Sequence, residues 1–297
     1  MICYQSAEVL NFHRNTAVSV GKFNGLHLGH QALLSRLKEA AGLDLDTLVL
    51  RIDAENSQER RLLLTEEETR SFLTREQITY DVRLPLSGAF REMSREEFAC
   101  VFIPERLRGS IVVTGSDFRF GKNAEGDAEY LKYAGKKSGY HVLLLADCYD
   151  GKDKISSTLI RNLLSEGSIE RANRCLGYIY SITGTVVHGR ALAGKLGFPT
   201  INIIPPEQKV LPRFGVYKTR VQLDGKAYTG LANIGVKPTV TNDAKPLLEV
   251  HLLDFSGDLY GRYTEVLFES FIRPEMHFQG IDALKRQMEK DIQCLLP

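Results

Sequence analysis

Near residue 176 the hydrophobic pattern of this chain changes period, and that change limits the possible folds more than any other feature. Before it, short apolar runs alternate with helical stretches. "TAVSV" (16–20) reads as a strand and leads into "HQALLSRLKEAAG", where Leu33, Leu34, Leu37 and Ala41 mark one helix face; "DTLVLRI" (46–52) follows as a strand. "TEEETRSFL" opens with Thr65 three residues before Glu68, the pattern of a capping box. "SIVVTG", the helical "DAEYLKYAGKKSG" and the strand "YHVLLLADC" continue the rhythm, which predicts a parallel sheet covered by helices. After it, "YSITGTVVHG", "PTINII", "GVYKTRVQL", "KAYTGLANIG", "PLLEVHLLDF" and "RYTEVLFES" succeed one another with turns between, as in an antiparallel barrel or sandwich. A final helix, "IDALKRQMEKDIQCLL", carries Ile281, Leu284, Met288, Ile292 and Leu295 on one stripe, expected to face the strands. Two domains are expected, 1–176 and 177–297, with the boundary in "EGSIERANRCLGY".

The 38 Lys and Arg against 37 Asp and Glu leave a formal net charge of +1, so no global field draws in nucleic acid or an anionic membrane, and a polyanion must meet a local site. No basic patch or aromatic platform supports a nucleic-acid partner. The five cysteines are odd in number, widely spaced and lack a C-x-x-C pair, which argues against a disulfide framework or a zinc site and for a reducing cytoplasm. The N-terminus lacks a signal pattern and no run approaches the ~18 apolar residues of a membrane span. A monomer or weak homo-oligomer acting on small molecules is the expectation.

Three stretches of the first half carry chemistry. "GKFNGLHLGHQ" (21–31) runs from a strand through a turn bounded by Gly21 and Gly25 into a helix, where free N–H groups and the helix dipole favour an anion. His27 and His30, three apart, can both face that anion, and Gly29 lets a phosphate approach the backbone; the competing reading has His27 as a cap and His30 in a polar patch. In "ISSTLIRNLLSEG", Ser156, Ser157 and Thr158 precede a helix with Gly167 as its expected cap, and Arg161 one turn in suits a fork-shaped phosphate clamp; plain capping by one hydroxyl competes. "VTGSDFRFGKNAEGD" is a glycine-rich loop whose Phe118 and Phe120 either stack on a flat ring or are hairpin core.

The second half carries two more. "HGRALAGKLGFPTIN" (188–202) sets Gly189, Gly194 and Gly197 with Arg190 and Lys195 ahead of a strand; it lacks the G-K-[ST] ending of a Walker loop, yet its backbone can wrap phosphates. Thr200 and Asn202, two apart on a strand, point their oxygens to one face, as a hydrated Mg²⁺ or simply a wet face would require. In "PLLEVHLLDF" Leu247, Glu249, His251 and Leu253 share a face, so Glu249 is either a desolvated base or an exposed strand glutamate.

G-x-F-[DN]-G-x-H-x-G-H with I-S-S-T-x-I-R resembles the adenylyltransferase module of the prokaryotic bifunctional riboflavin kinase/FMN adenylyltransferase (FAD synthetase) family. "GFPTIN", "GVYKTRV", "LANIGVKPTV", "LEVHLLDFSGDLYG" and "FIRPEMHF" resemble its kinase module in order and over the whole second domain. The resemblance implies a nucleotidyltransferase-like α/β domain followed by an antiparallel β-barrel with a C-terminal helix. It implies that riboflavin becomes FMN at the barrel and FMN becomes FAD at the sheet, with ATP as donor and Mg²⁺ as cofactor. By the same resemblance Gly21, Phe23, Asn24, Gly25, His27, Gly29, His30, Ser157, Thr158 and Arg161 hold the ATP of adenylyl transfer, and the Phe118 and Phe120 loop lies beside flavin and adenine. Gly189, Gly194, Lys195, Gly197 and Thr200 bind the kinase ATP, Thr200 and Asn202 the metal, and Glu249 is the base. Arg273, Glu275 and Phe278 lie in a loop closing over flavin. The chain departs from the pattern with Asn24 where Asp is usual, Ala193-Gly194 where Gly-Arg is common and Ile201 where Ala is usual. Those departures suggest a rival, a flavin-binding regulator with weakened catalysis or only one activity; a nucleotidyltransferase for another acceptor is a second rival.

Overall fold

The computed structural model describes residues 1–53, 61–188, 200–236 and 245–295. It divides into two compact units, Met1–Ser157 and Thr158–Pro297.

In the first unit six parallel strands form one sheet. The strands are Ile2–Tyr4 (β1), Thr16–Gly21 (β2), Asp46–Asp53 (β3), Tyr80–Pro85 (β4), Gly109–Gly115 (β5) and His141–Leu145 (β6), in the order β1-β4-β3-β2-β5-β6. The chain winds from β2 through β3 to β4, then returns to the other side of β2 with β5 and β6. The order therefore reverses between β2 and β5, and the carboxyl ends of those two strands are where open sheets of this kind bind ligands. Val18, Val20, Leu48, Leu50, Val82 and Val112 fill the core, each at most 2% exposed. Such continuous apolar burial is what a sheet covered on both faces needs.

Leu28–Ala41 (α1) follows β2 and buries Leu34, Leu37 and Ala41, with Leu33 half-buried. Glu66–Arg75 (α2) starts at the expected capping box: Thr65 Oγ1 accepts from Glu68 N–H at 3.2 Å and Glu68 Oε2 accepts from Thr65 N–H at 2.8 Å. Short helices Gly88–Glu92 (α3) and Arg95–Glu97 (α4) precede a π-helical stretch, Phe98–Arg106, that contributes Phe98 and Phe102 to the core. Ala128–Ser138 (α5) is capped by Asp127, whose Oδ1 accepts from Tyr130 N–H. A small antiparallel ribbon, Tyr149–Asp150 (β7) with Asp153–Lys154 (β8), leads to Ser157–Glu166 (α6) and Ile169–Leu176 (α7). Gly167, at φ +86°, ends α6: its N–H reaches Leu164 O and that of Ser168 reaches Leu163 O, the paired closure of a left-handed helix terminus.

The contact division falls at the start of α6, so that α7 lies with the second unit, whereas the change of periodicity falls after it. Asn173 of α7 explains the difference, since its Nδ2 donates to Phe268 O and its Oδ1 accepts from Tyr180 N–H, tying the helix to the strands that follow.

The second unit is a closed antiparallel barrel. Its strands are Ser181–Val187 (β9), Thr200–Ile203 (β10), Gly215–Leu223 (β11), Lys226–Val236 (β12), Pro246–Leu252 (β13) and Tyr263–Pro274 (β14), in the cyclic order β10-β13-β12-β11-β14-β9. Leu248, Val250 and Leu252 of β13, Ala232 and Ile234 of β12, and Tyr217, Thr219 and Val221 of β11 alternate into the interior and are at most 5% exposed. The residues between them face outward. The last helix, Ile281–Gln293 (α8), covers part of that outer face, with Ile292 and the following Leu295 against Val216, Leu231, Leu253 and Ile272. The expected stripe holds for Leu284, Met288, Ile292 and Leu295, but Ile281 is 55% exposed at the helix start. The residue of this helix that is fully buried is a carboxylate, Asp291, at 2%.

Candidate active sites

At the carboxyl end of β2 the chain makes a strained turn. Phe23 and Leu26 both take positive φ, 48° and 39°, and both are buried, at 1% and 0% exposure. Such conformations cost on the order of 1–3 kcal/mol each and persist only where the surroundings dictate them. Three contacts do so. Asn24 Oδ1 accepts from the N–H of buried Leu63 at 3.1 Å; the Oγ of Ser157 donates to Asn24 O at 2.7 Å; and Gly25, at φ +85°, lies so close to Leu63 that a Cβ there would fall 2.6 Å from its Cδ1. The first serine of α6 is therefore bonded to the turn backbone 133 residues earlier. What position 24 supplies is an acceptor oxygen, which asparagine and aspartate share. Arg51, in register with Gly21 on the neighbouring strand, sets its guanidinium between Asp81 and Glu66 at the start of α2.

His27 stands at the N-cap of α1, yet its ring makes no cap hydrogen bond, and no acidic residue occupies the first turn. The first N–H groups of the helix are left for an external acceptor. The rings of His27 and His30 stack at 3.8 Å between centroids with an interplanar angle of 21°, and Phe23 closes on His30 at 5.0 Å. Gly29 makes room for this: a Cβ there would lie 3.3 Å from His27 Cε1 and Nδ1. Burial pushes the His27 imidazole down to about 4, and burial followed by the neighbouring His27 holds His30 well below its ordinary value. Neutral rings can stack this closely without the repulsion two charged ones would feel. Their Nδ1 atoms are buried with no hydrogen-bond partner among the described residues. The pair can offer neutral hydrogen-bonding groups to an anion.

Thr158 follows Ser157 as an exposed residue, and Arg161 sits one turn along α6, half-buried. At the end of β5 the two phenylalanines separate in role. Phe120 is 5% exposed, bridges to Gly126 and packs on Phe98, so it is core; Phe118 is half-buried and stacks on it at 5.5 Å. Lys154 ties this loop to the segment before α6, reaching Asp117 and, at 2.8 Å, Asp147.

On the barrel, the register places Asn202 opposite Glu249 and Glu249 opposite Asn233, one row across β10, β13 and β12 on the outer face. Adjacent members of such a row have Cα atoms about 4.5–5.5 Å apart. Thr200 stands opposite His251 in the neighbouring row. Asn202 is 3% exposed, and its Oδ1 has no hydrogen-bond partner among the described residues. Glu249 is half-buried between the two asparagines. Asn233 is the member of this row that pattern reading overlooked. The signal was available: one amide in "LANIG", a stretch otherwise apolar or glycine.

Arg273 lies in β14 and not in a loop. Its Nε and Nη2 hold the carboxylate of Asp291 at 3.0 and 2.7 Å. Glu275 and Phe278 follow the strand, Glu275 exposed and accepting from Asn233 Nδ2 at 3.4 Å, Phe278 half-buried with the Arg273 guanidinium 5.9 Å from its ring centroid. Gly189, Gly194, Lys195 and Gly197, with Ala193 of the departing pair, lie outside the described residues. Among the described residues no helix is long and apolar enough to cross a membrane.

Comparison with known proteins matches each unit to a separate family. Residues 10–159 match the model described as FAD synthetase and residues 176–296 that described as riboflavin kinase. The chain is 36% identical over 289 residues to the bifunctional riboflavin kinase/FMN adenylyltransferase of Pseudomonas fluorescens, covering 94% of this chain and 92% of that protein. It is 36% identical over 290 residues to the protein of the same name from Listeria monocytogenes, covering 94% and 91%, and 35% over 283 residues to that of Escherichia coli K12, covering 92% and 90%. Among solved structures it superposes on one described as a macrolide-efflux protein from Streptococcus pneumoniae, with a TM-score of 0.89, 29% identity and coverage of 99% and 98%. With both domain families present and this similarity along nearly its whole length, the chain belongs to the bifunctional riboflavin kinase/FMN adenylyltransferase family.

Proposed function

We propose that the two centres divide flavin cofactor synthesis between them, the barrel phosphorylating riboflavin with ATP to FMN and the parallel-sheet unit transferring AMP from ATP to FMN. One observation carries the assignment to two places: buried polar atoms lacking partners among the described residues stand at both, Nδ1 of His27 and His30 in one unit and Oδ1 of Asn202 in the other. Such atoms are costly unless a ligand satisfies them.

In the kinase step Glu249 takes the proton of the ribityl 5′-hydroxyl as that oxygen attacks the γ-phosphorus, and ADP leaves. Thr200 and Asn202 fit a hydrated Mg²⁺, since an orphaned amide oxygen and a hydroxyl on one strand face are hard oxygen donors. When bound, the metal neutralises phosphate charge. Gly189, Gly194, Lys195 and Gly197 wrap the ATP, and Glu275 and Phe278 border the flavin. In the adenylyl step the FMN phosphate attacks the α-phosphorus and pyrophosphate leaves, with no covalent intermediate. The start of α1, His27, His30 and Ser157 hold the triphosphate, so catalysis is positioning with stabilisation of developing negative charge. Phe118 offers the flavin a stacking face, and Phe120 supports it from the core. Domains 1–176 and 177–297 are the units of function. The enzyme acts in the cytoplasm on small molecules without a nucleic-acid partner, as a monomer or weak homo-oligomer; the free thiols of Cys3, Cys100, Cys148 and Cys294 suit a reducing compartment.

Incubation with ATP, Mg²⁺ and riboflavin, with chromatography of FMN and FAD, tests the reading. Glu249→Gln removes FMN formation and leaves FAD formation from supplied FMN; His30→Ala does the reverse. Loss of both activities from either change, with the fold intact, refutes the two-centre assignment.

A further inference from the structure

The barrel contains a buried ion pair that the chemistry above leaves without a task. Arg273 is the penultimate residue of β14, and the side chains of Arg273 and Asp291 are 16% and 3% exposed, Asp291 sitting on the inner face of α8 among Leu284, Met288, Ile292 and Leu295. Arg273 Nε donates to both carboxylate oxygens at 3.0 Å and Nη2 to Oδ2 at 2.7 Å, while Gln287, one helical turn before Asp291, donates to Oδ1 at 2.8 Å. A charge pair in this setting often gives no more stability than apolar residues of similar volume would, so stability alone does not account for it. The reason lies on the far side of the guanidinium. Its Nη1 donates to Pro274 O at 3.0 Å, fixing the direction in which the chain leaves the strand, and its face carries the ring of Phe278. Every nitrogen of Arg273 is thus engaged within this cluster, and the segment it steers continues to Glu275, which meets Asn233 beside Glu249.

We propose that Asp291 is a positioning residue of the kinase centre: through Arg273 it sets where residues 274–278 stand at the flavin side of the Glu249 row. The proposal rests on the flavin reading of Glu275 and Phe278 given above. Arg273 itself is spent on Asp291 and Pro274 and acts as a strut, not as a flavin contact.

The test uses the full chain, whose FAD formation from supplied FMN reports on the other unit in the same sample. Asp291→Asn keeps the volume and removes the charge that a guanidinium fork matches. Riboflavin KM is expected to rise about tenfold with kcat within about twofold and ATP KM unchanged, because a displaced border weakens substrate placement more than chemistry. Gln287→Ala removes one support of the carboxylate and is expected to move riboflavin KM the same way by about threefold. In the double variant of Arg273→Lys and Asp291→Asn the two effects should not add, since both break one linkage. Phe278→Ala separates this proposal from the reading beneath it. If Phe278→Ala raises riboflavin KM and Asp291→Asn does not, the proposal falls and the flavin reading stands; if neither moves, both fall. If Asp291→Asn lowers kcat and shifts both KM values together with the thermal midpoint, the pair is a structural staple only, which also overturns the proposal. Should Asp291→Asn not fold, an unchanged riboflavin KM in Gln287→Ala overturns it.

Discussion

Gly25→Ala tests whether the strained turn is what places the adenylyl-transfer groups. Its cost has two parts. At φ +85° an L side chain pays about 1–2 kcal/mol for the left-handed backbone. The added Cβ would then lie 2.6 Å from Leu63 Cδ1 and 3.0 Å from its Cβ, and overlap of that kind in a filled core costs about 1–3 kcal/mol. Leu63 cannot retreat cheaply, being fully buried with its N–H held by Asn24 Oδ1. The sum, about 2–5 kcal/mol, stays within the 5–15 kcal/mol stability of a typical domain, so the unit remains folded at 25 °C with its thermal midpoint lowered on the order of 10 °C. The turn must shift, and His27 follows it by two residues. Misplacement of about 1 Å at a site that works by positioning lowers FAD formation about 100-fold. FMN formation, made on the other unit, stays at wild type. Gly139→Ala is the matched control, with φ +81° and nothing within 4 Å of the added Cβ, so only the backbone term of about 1–2 kcal/mol remains. Calorimetry of both variants and the two product assays decide the matter. Equal losses of stability in the two variants would refute the claim that Leu63 fixes the turn, and a parallel fall in FMN formation would refute its confinement to one unit.

Two other outcomes follow from the same geometry. His27 is neutral in the folded chain down to about 4, whereas the unfolded chain takes up a proton near 6.5; stability is therefore full above that range and falls as pH drops from 6.5 towards 4, by about 3 kcal/mol for this group. Chemical denaturation of wild type and His27→Gln across pH 7 to 4 should show wild type losing that amount relative to the variant, and a constant difference contradicts it. Asn202→Leu is expected to abolish FMN formation while leaving stability unchanged or raising it by about 1 kcal/mol, because the replaced Oδ1 has no partner among the described residues. A large fall in the thermal midpoint would mean that the amide serves the fold and not the substrate.

Much of this was legible in the sequence, and the rest was hidden for definite reasons. The strands of the barrel stand where period-two alternation put them, because interior residues such as Leu248 and Val250 obey a face rule that one strand states by itself. Neighbours across strands obey register, which no single segment states: that Asn233 completes a row with Glu249 and Asn202 needs the pairing of three strands. The histidines were found from a local motif, yet their neutrality comes from the depth of the turn and the ring of Phe23, both tertiary. Phe118 and Phe120 are two apart in one loop, and only the hairpin bridge at Gly126 sends Phe120 into the core and leaves Phe118 at its edge. Asp291 went unread in the sequence, although a carboxylate on an apolar stripe is a local conflict that ought to mark a buried partner.

The two centres share a physical device, which bears on how substrates act on the protein. Each holds strained or buried polar groups: positive-φ residues and imidazole nitrogens at one, an amide oxygen at the other, those atoms lacking hydrogen-bond partners among the described residues. These features lower the stability of the ligand-free chain, and a ligand that satisfies them returns part of that free energy as binding. Substrates should therefore stabilise each unit by mass action, raising the midpoint of the unit they occupy and not that of the other. Adenine nucleotide with Mg²⁺ acts on both. Pyrophosphate, which carries the phosphates without the nucleoside, should protect the parallel-sheet unit through the start of α1 and lose that effect in His30→Ala; protection that survives the substitution would place the anion away from the stacked imidazoles.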